Sequence, residues 1–409
     1  MEGVTLTAAD VAVPIAAYAR RFHAEAGPRH HVGSPLGAWL LLALCAPASE
    51  GEARSILDAL LGTESGAAAD LAAVLLADPH PLVPVAAAVW LQERAEGQTL
   101  AHWLAGLPPQ VDRGPLVSQA ELDAWAGRHT GGLIERFPLS DPSIWLLVAT
   151  VIATKVSWER PFDLVPAAAL GPSSPWAAVL HQVLATPDGP GHQQFVAATE
   201  AAGDVAVHAA RARGGLQVTS VAAAPGVPEA DVIAAAYDLA PALATGGPVT
   251  RRSLFDLPLG DGPLWAISER TGPVKGVSGR LERCSAALPA WSARSQHDLA
   301  APGLGFAEAM AALAPGDPWQ AGQSAMARYG RVGFEAAAVS ATAAAMAMTT
   351  PRQGLIRTAE LRFGHPYAVV AVTVDPPGPR SQPAGSAGPW HGLPVFSAWV
   401  ADPQDAGEA

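Results

Sequence analysis

The chain has 409 residues, half of them hydrophobic, with a formal charge of −12. Its only lysines are Lys155 and Lys275, so it offers no basic stripe to a nucleic-acid backbone. Its longest apolar runs, residues 38–48 and 144–149, fall short of the ~20 residues that cross a bilayer, so no membrane partner is expected. Two cysteines, Cys45 and Cys284, are too few for a disulfide framework or a thiolate metal site and read as buried free thiols.

Apolar residues recur at helical spacing over residues 11–23 and 36–45, then at Ile56, Leu57, Leu60 and Leu61, where Ser49 and Glu52 suggest a capping box. The helical pattern continues from 67 to 107 through Leu71, Val74, Leu75, Val89, Leu91 and Leu104, interrupted by Pro79, Pro81 and Pro84. A further helical run covers 122–137. Beyond Pro142 the apolar stretch 144–151 is nearly continuous, as expected of a strand covered on both faces. Residues 163–203 match no pattern, whereas 205–208, 216–222 and 264–268 alternate and predict antiparallel strands. With no repeat and no linker in sight, residues 1–409 read as a single mixed domain.

Signatures of catalysis are absent. No serine has glycine two residues before and after it, neither lysine follows a serine by three, and HExxH, paired CxxC and GxxxxGK[ST] do not occur. A hydrolase would need a triad assembled from distant residues. His30 and His31 lie in a loop-like stretch between Pro28 and Gly33, and His192 follows Gly191; all three read as solvent-facing, and no metal or cofactor is expected. The segment 333–348 is small and, beyond Glu335, uncharged, and after Gly333 it has no Pro or Gly. It suits an alanine-rich helix, or a loop able to become a strand in a crowded sheet.

Five separated stretches resemble one family, the serpins, of bacterial type. They are Val32-Gly33-Ser34-Pro35-Leu36 with the apolar run after it; Trp158-Glu159-Arg160-Pro161-Phe162 after Lys155; Leu288-Pro289-Ala290-Trp291-Ser292 with Asp298-Leu299; Phe363-Gly364-His365-Pro366-Tyr367; and residues 396–403. The resemblance implies an α+β fold of about eight or nine helices packed on three β-sheets, with an exposed reactive loop near the C-terminus at about 334–358. It implies suicide inhibition of a serine protease: the loop is cut, then inserts as a strand into the main sheet and drags the acylated enzyme along. About a dozen residues joining a ladder, at ~0.5–1.5 kcal/mol net per hydrogen bond, would drive such a switch. The hinge would be Gly333, Phe334, Glu335, Ala336, Ala337 and Ala338, and the sheet would open near Ser34, Pro35, Thr150 and Trp158.

Where the bait bond lies is open, because two family spacings disagree. Counting from Gly333 puts it among Met346, Ala347 and Met348, which suits chymotrypsin-, elastase- or subtilisin-like enzymes. Counting back from His365-Pro366 puts it near Arg352 and Gln353, which suits a trypsin-like one. Several residues depart from the family. Phe334 stands where Thr or Ser is favoured, and must be desolvated at the first inserting step. Arg331 and Ala290 lack the usual charge pair, Thr150 replaces a buried Asn, and Gly37 replaces a second Ser. A serpin-like protein whose loop is only a substrate, with a binding or chaperone role, is the alternative, ahead of a hydrolase. A monomer is expected. The N-terminus carries no secretory signal, which predicts a cytoplasmic location, whereas the family resemblance suggests an extracellular one.

Overall fold

The structure, a computed structural model, describes residues 8–93, 97–137, 143–154, 156–274, 278–333, 352–374 and 388–407. Helix α1 (Ala8–Ala26) leads into the short strand β1 (His31–Gly33) and then α2 (Pro35–Cys45). Every residue of α2 is buried, because a helix apolar on all sides can only be a core element. Ser34 caps it and Pro35 sits in its first turn. Helices α3 (Gly51–Leu61) and α4 (Ser65–Ala77) pack against it.

The capping box expected of Ser49 and Glu52 does not form. The Ser49 amide closes a preceding 3-10 turn onto the Ala46 carbonyl at 3.0 Å, and Arg54 Nε donates to the Ser49 carbonyl at 2.7 Å. Helix α3 therefore starts after Glu50. A capping box does form elsewhere, where Ser118 and Glu121 open the helix Gln119–His129.

Residues 85–91, expected to be helical, are instead strand β2 (Val85–Leu91). The stretch is apolar on both faces, which a buried strand requires and helical periodicity cannot distinguish over seven residues. Helix α5 (Gln98–Gly106), strand β3 (Asp112–Pro115), helix α6 (Gln119–His129) and strand β4 (Leu146–Ala153) follow. The stretch without a sequence pattern holds strands β5 (Asp163–Pro166), β6 (Gln182–Ala185) and β7 (His192–Thr199). Then come β8 (Gly203–Ala212), β9 (Leu216–Ala222), helix α7 (Glu229–Thr245), β10 (Gly260–Asp261), β11 (Trp265–Val274), β12 (Arg280–Leu288) and β13 (Trp291–Asp298). Helix α8 (Phe306–Leu313) precedes β14 (Trp319–Tyr329), β15 (Arg352–Arg362), β16 (Tyr367–Thr373) and β17 (Pro394–Val400).

Eight α-helices and three sheets, counted among the described residues, make the expected α+β architecture. The five-stranded main sheet has the order β13-β14-β4-β2-β3. The second sheet runs β1-β17-β16-β9-β8-β7 and the third β10-β11-β15-β12-β6-β5. Leu146, Val148 and Ile152 of β4 face a large core shared with α2 and the second sheet, while Leu147, Ala149 and Val151 face a smaller cluster under α6. Among the described residues no single helix is long and apolar enough to cross a membrane.

Candidate functional site

The main sheet has two parallel seams, β2–β3 at its edge and β14–β4 inside it, and the expected site residues gather at the inner one. Strands β14 and β4 are parallel neighbours, paired from Trp319–Leu146 through Gln323–Thr150 to Met326–Ala153. Both other pairings of β4 and β14 within the sheet are antiparallel. Parallel strands adjacent in a sheet need a long connection, so the seam joins pieces of chain far apart in sequence.

A polar clamp holds the middle of this seam. The Ser34 amide donates to Gln323 Oε1 at 2.8 Å, and Gln323 Nε2 donates to the Ser34 carbonyl at 2.9 Å. Ser34 Oγ donates to the Val395 carbonyl at 2.6 Å and accepts from the Gly37 amide at 3.0 Å. One serine thus ties β14, β17 and the N-terminus of α2 together. A methyl group on Gly37 would sit 3.0 Å from Gln323 Nε2, so the missing side chain at 37 makes room for the glutamine amide. Thr150, fully buried, lies beside Gln323 in the register of the seam. Gln323 was not singled out from sequence, since a lone glutamine in an alternating strand carries no local signal.

An aromatic nest closes the top of the seam. Trp158 is buried and its Nε1 donates to the Gly330 carbonyl at 2.8 Å, where the chain leaves β14. Its ring packs on Tyr329 and Phe162. Arg331 donates from Nε to the Phe162 carbonyl at 3.2 Å, and Ala290 offers no charge of either sign. Gly333 makes an antiparallel bridge to Ser157. It has φ +82, and an added Cβ would lie 2.1 Å from the Val156 carbonyl oxygen, so glycine is required there. A cavity of about 30 Å³ lies below, lined among others by Thr154, Val156, Trp158, Ala327 and Tyr329.

Under the nest, His192 and His208 are buried, contrary to the expectation of a solvent-facing His192. His192 Nε2 faces the Arg160 carbonyl at 2.8 Å and must carry a proton, which leaves Nδ1 to accept from His208 Nε2 at 3.1 Å. The Tyr329 hydroxyl then faces the bare His208 Nδ1 at 3.4 Å. Burial first, then the neighbouring His192, holds His208 well below its ordinary value; burial also lowers His192. His31 is likewise buried rather than solvent-facing. Both cysteines are free, and burial pushes their thiols up, Cys45 to about 12 and the half-buried Cys284 to about 11, so neither offers a ready thiolate.

Of the expected site residues, Ser34, Pro35, Thr150, Trp158 and Gly333 come together along this seam. Phe334, Glu335, Ala336, Ala337, Ala338, Met346, Ala347 and Met348 lie outside the described residues. Arg352 and Gln353 do not belong to a loop. They open β15, paired with Val274 and Pro273 of β11, and from Leu355 the strand is paired on its other side to β12 as well. The expected loop boundary at 358 is therefore corrected, because residues 352–358 are held in the third sheet, on one edge from Arg352 and on both from Leu355.

Comparison with solved structures gives the class of this fold. The chain matches the thermophilic serpin Tengpin in its native state with a TM-score of 0.61 at 11% identity, over 97% of this chain and 94% of that one. Human thyroxine-binding globulin complexed with thyroxine matches with a TM-score of 0.61 at 13% identity, over 98% and 100% of the two chains. Serine protease inhibitor (serpin)-12 of Manduca sexta matches with a TM-score of 0.57 at 13% identity, over 96% and 98%. No known family profile matches the sequence. No curated protein matches it either. The chain has the serpin fold.

Proposed function

We propose that the protein is a serine-protease inhibitor that traps its target by loop cleavage and insertion between β14 and β4. The observation that supports this most is the parallel seam with an antiparallel rung, Gly333 to Ser157, already at its top. A parallel pair is where the continuation of β14 can turn back and lie antiparallel to both neighbours at once.

One register, started from that rung, sets how it would lie. Extending the Gly333–Ser157 rung down β4 sets Ser340 opposite Thr150, whose partner across the seam is Gln323. A hairpin that keeps Ser340 beside Gln323 sets Phe334 beside Tyr329, with residues 330–333 as a turn of ordinary hairpin length. In this register Phe334, Ala336, Ala338, Ser340, Thr342 and Ala344 share the core face with Val156, Thr154, Ile152, Thr150, Val148 and Leu146. Ser340 falls at the level of the polar clamp, and Ala338 and Ala344 at the apolar levels of Ile152 and Leu146. Glu335, the charged residue, takes the opposite face.

One observation favours the alternative of a serpin-fold protein whose loop is only a substrate. Phe334 would project toward the small cavity lined by Trp158 and Tyr329, so the first inserting step must desolvate a benzyl group and fit it against those rings. Inhibition is a race between insertion and deacylation, and a slow first step loses it. The structure with bound thyroxine shows that this fold also serves binding.

The test is incubation of the intact protein with trypsin, chymotrypsin, elastase and subtilisin. An SDS-resistant covalent complex with one of them is expected, and mass spectrometry of the released peptide should place the cut within 334–351, in the Met346–Met348 region. Phe334→Thr is expected to raise the fraction of protease trapped per cleavage. Clean nicking by every enzyme, with Phe334→Thr no different, would establish the substrate reading.

A further inference from the structure

A second histidine pair lies on the far side of the clamp, between α1, β1 and the first turn of α7. His23 and His31 are both buried, and His23 Nδ1 faces His31 Nε2 at 2.7 Å. Each ring is oriented by its other nitrogen. His31 Nδ1 donates to the Arg29 carbonyl at 2.8 Å, which leaves Nε2 bare. His23 Nε2 lies 2.6 Å from Ser397 Oγ, which accepts from the Tyr237 hydroxyl at 2.9 Å. The half-buried Glu229, first residue of α7, completes the group: one donor atom from each of the three residues falls within 4.8 Å of the other two. Its Oε1 is buried and has no hydrogen-bond partner.

We propose that His23, His31 and Glu229 form a binding site for a divalent transition metal of the zinc type. Two neutral imidazoles and one carboxylate are a donor set that zinc takes and that calcium or magnesium does not prefer. The arrangement behind the ligands is the one metal-binding histidines need, with the non-ligating nitrogens held by a carbonyl and a hydroxyl.

Closing the site asks for small movements. Zinc bonds of about 2.0–2.1 Å put neighbouring donors about 3.3 Å apart, so the imidazoles part slightly and the flexible Glu229 side chain moves in. His23 then carries its proton on Nε2, toward Ser397 Oγ, and water takes the fourth position. The ion would brace α1 and α7 against β1, with His31 three residues before Ser34 and hence beside the clamp. This revises the expectation that His31 is exposed and that the histidines hold no metal.

The experiment titrates the full chain, stripped with a chelator, with Zn2+ in a calorimeter while following the melting temperature, with Co2+ as a spectroscopic probe. One Zn2+ per chain, a higher melting temperature and a Co2+ spectrum of tetrahedral type are expected. Glu229→Gln should weaken binding roughly tenfold or more, with no loss of melting temperature in the metal-free state, and His23→Gln should abolish the Co2+ signal. Glu229 is half-buried at a helix start, so its variant decides the matter even if His23→Gln does not fold. Absence of saturable Zn2+ binding, or equal binding by wild type and Glu229→Gln, would overturn the proposal and assign any bound metal to surface histidines.

Discussion

Gln323 shows how much one side chain can decide. Its amide satisfies both backbone groups of Ser34 in a buried place, so removing it strands a donor and an acceptor, at about 1–3 kcal/mol each. Gln323→Leu should therefore lower the melting temperature of the intact protein by several degrees, read by differential scanning calorimetry. An unchanged value would mean that the clamp does not hold the seam. Gly37 and Gly333 are permissive partners of the same design, one making space for an amide and the other for a carbonyl. Gly37 looked like a lost serine in the sequence; beside Gln323 it is a compensation. No local pattern could show this, because the two residues are 286 positions apart and meet only through the packing of α2 on the main sheet.

At the scale of elements, the upper seam rests on a directed chain of hydrogen bonds from Tyr329 through His208 and His192 to the Arg160 carbonyl. Every proton in it has one place to go, so an added proton breaks a link and buries a charge. The groups facing the pair are Tyr329, Arg160 and Asp163; the Arg160 carbonyl and Asp163 favour a charged His192, while burial and the Arg160 charge oppose it and win. Both histidines have folded-state values below their ordinary 6.5, so on acidification the unfolded chain takes up protons first. The stability from keeping them neutral is thus fully present above about pH 6.5 and is lost as pH falls toward the depressed values, by up to about 1.4 kcal/mol per pH unit for each proton. The melting temperature should fall between about pH 7 and about pH 5, and His192→Gln should make that fall shallower. An equal slope in the variant would show that the pair stays charged or solvated in the folded protein.

For the molecule as a whole, the proposed function requires that the seam accept one more strand. Cutting the chain within 334–351 should raise the melting temperature on the order of ten degrees or more, because a parallel ladder is exchanged for two antiparallel ones while the cut frees the ends to move. An unchanged melting temperature after clean cleavage, with the loop still open to a second protease, would rule out the stored insertion on which inhibition depends.

The buried helix at 36–45 and the core strand in the run 144–151 were legible in the sequence because their apolar runs exceed what a surface element can carry. The start of β15, the strand at 85–91, the clamp and both histidine pairs were not legible. A run of apolar or polar residues states only that it must be buried or satisfied, and which partner meets that need is settled when distant strands and helices are brought within hydrogen-bonding distance.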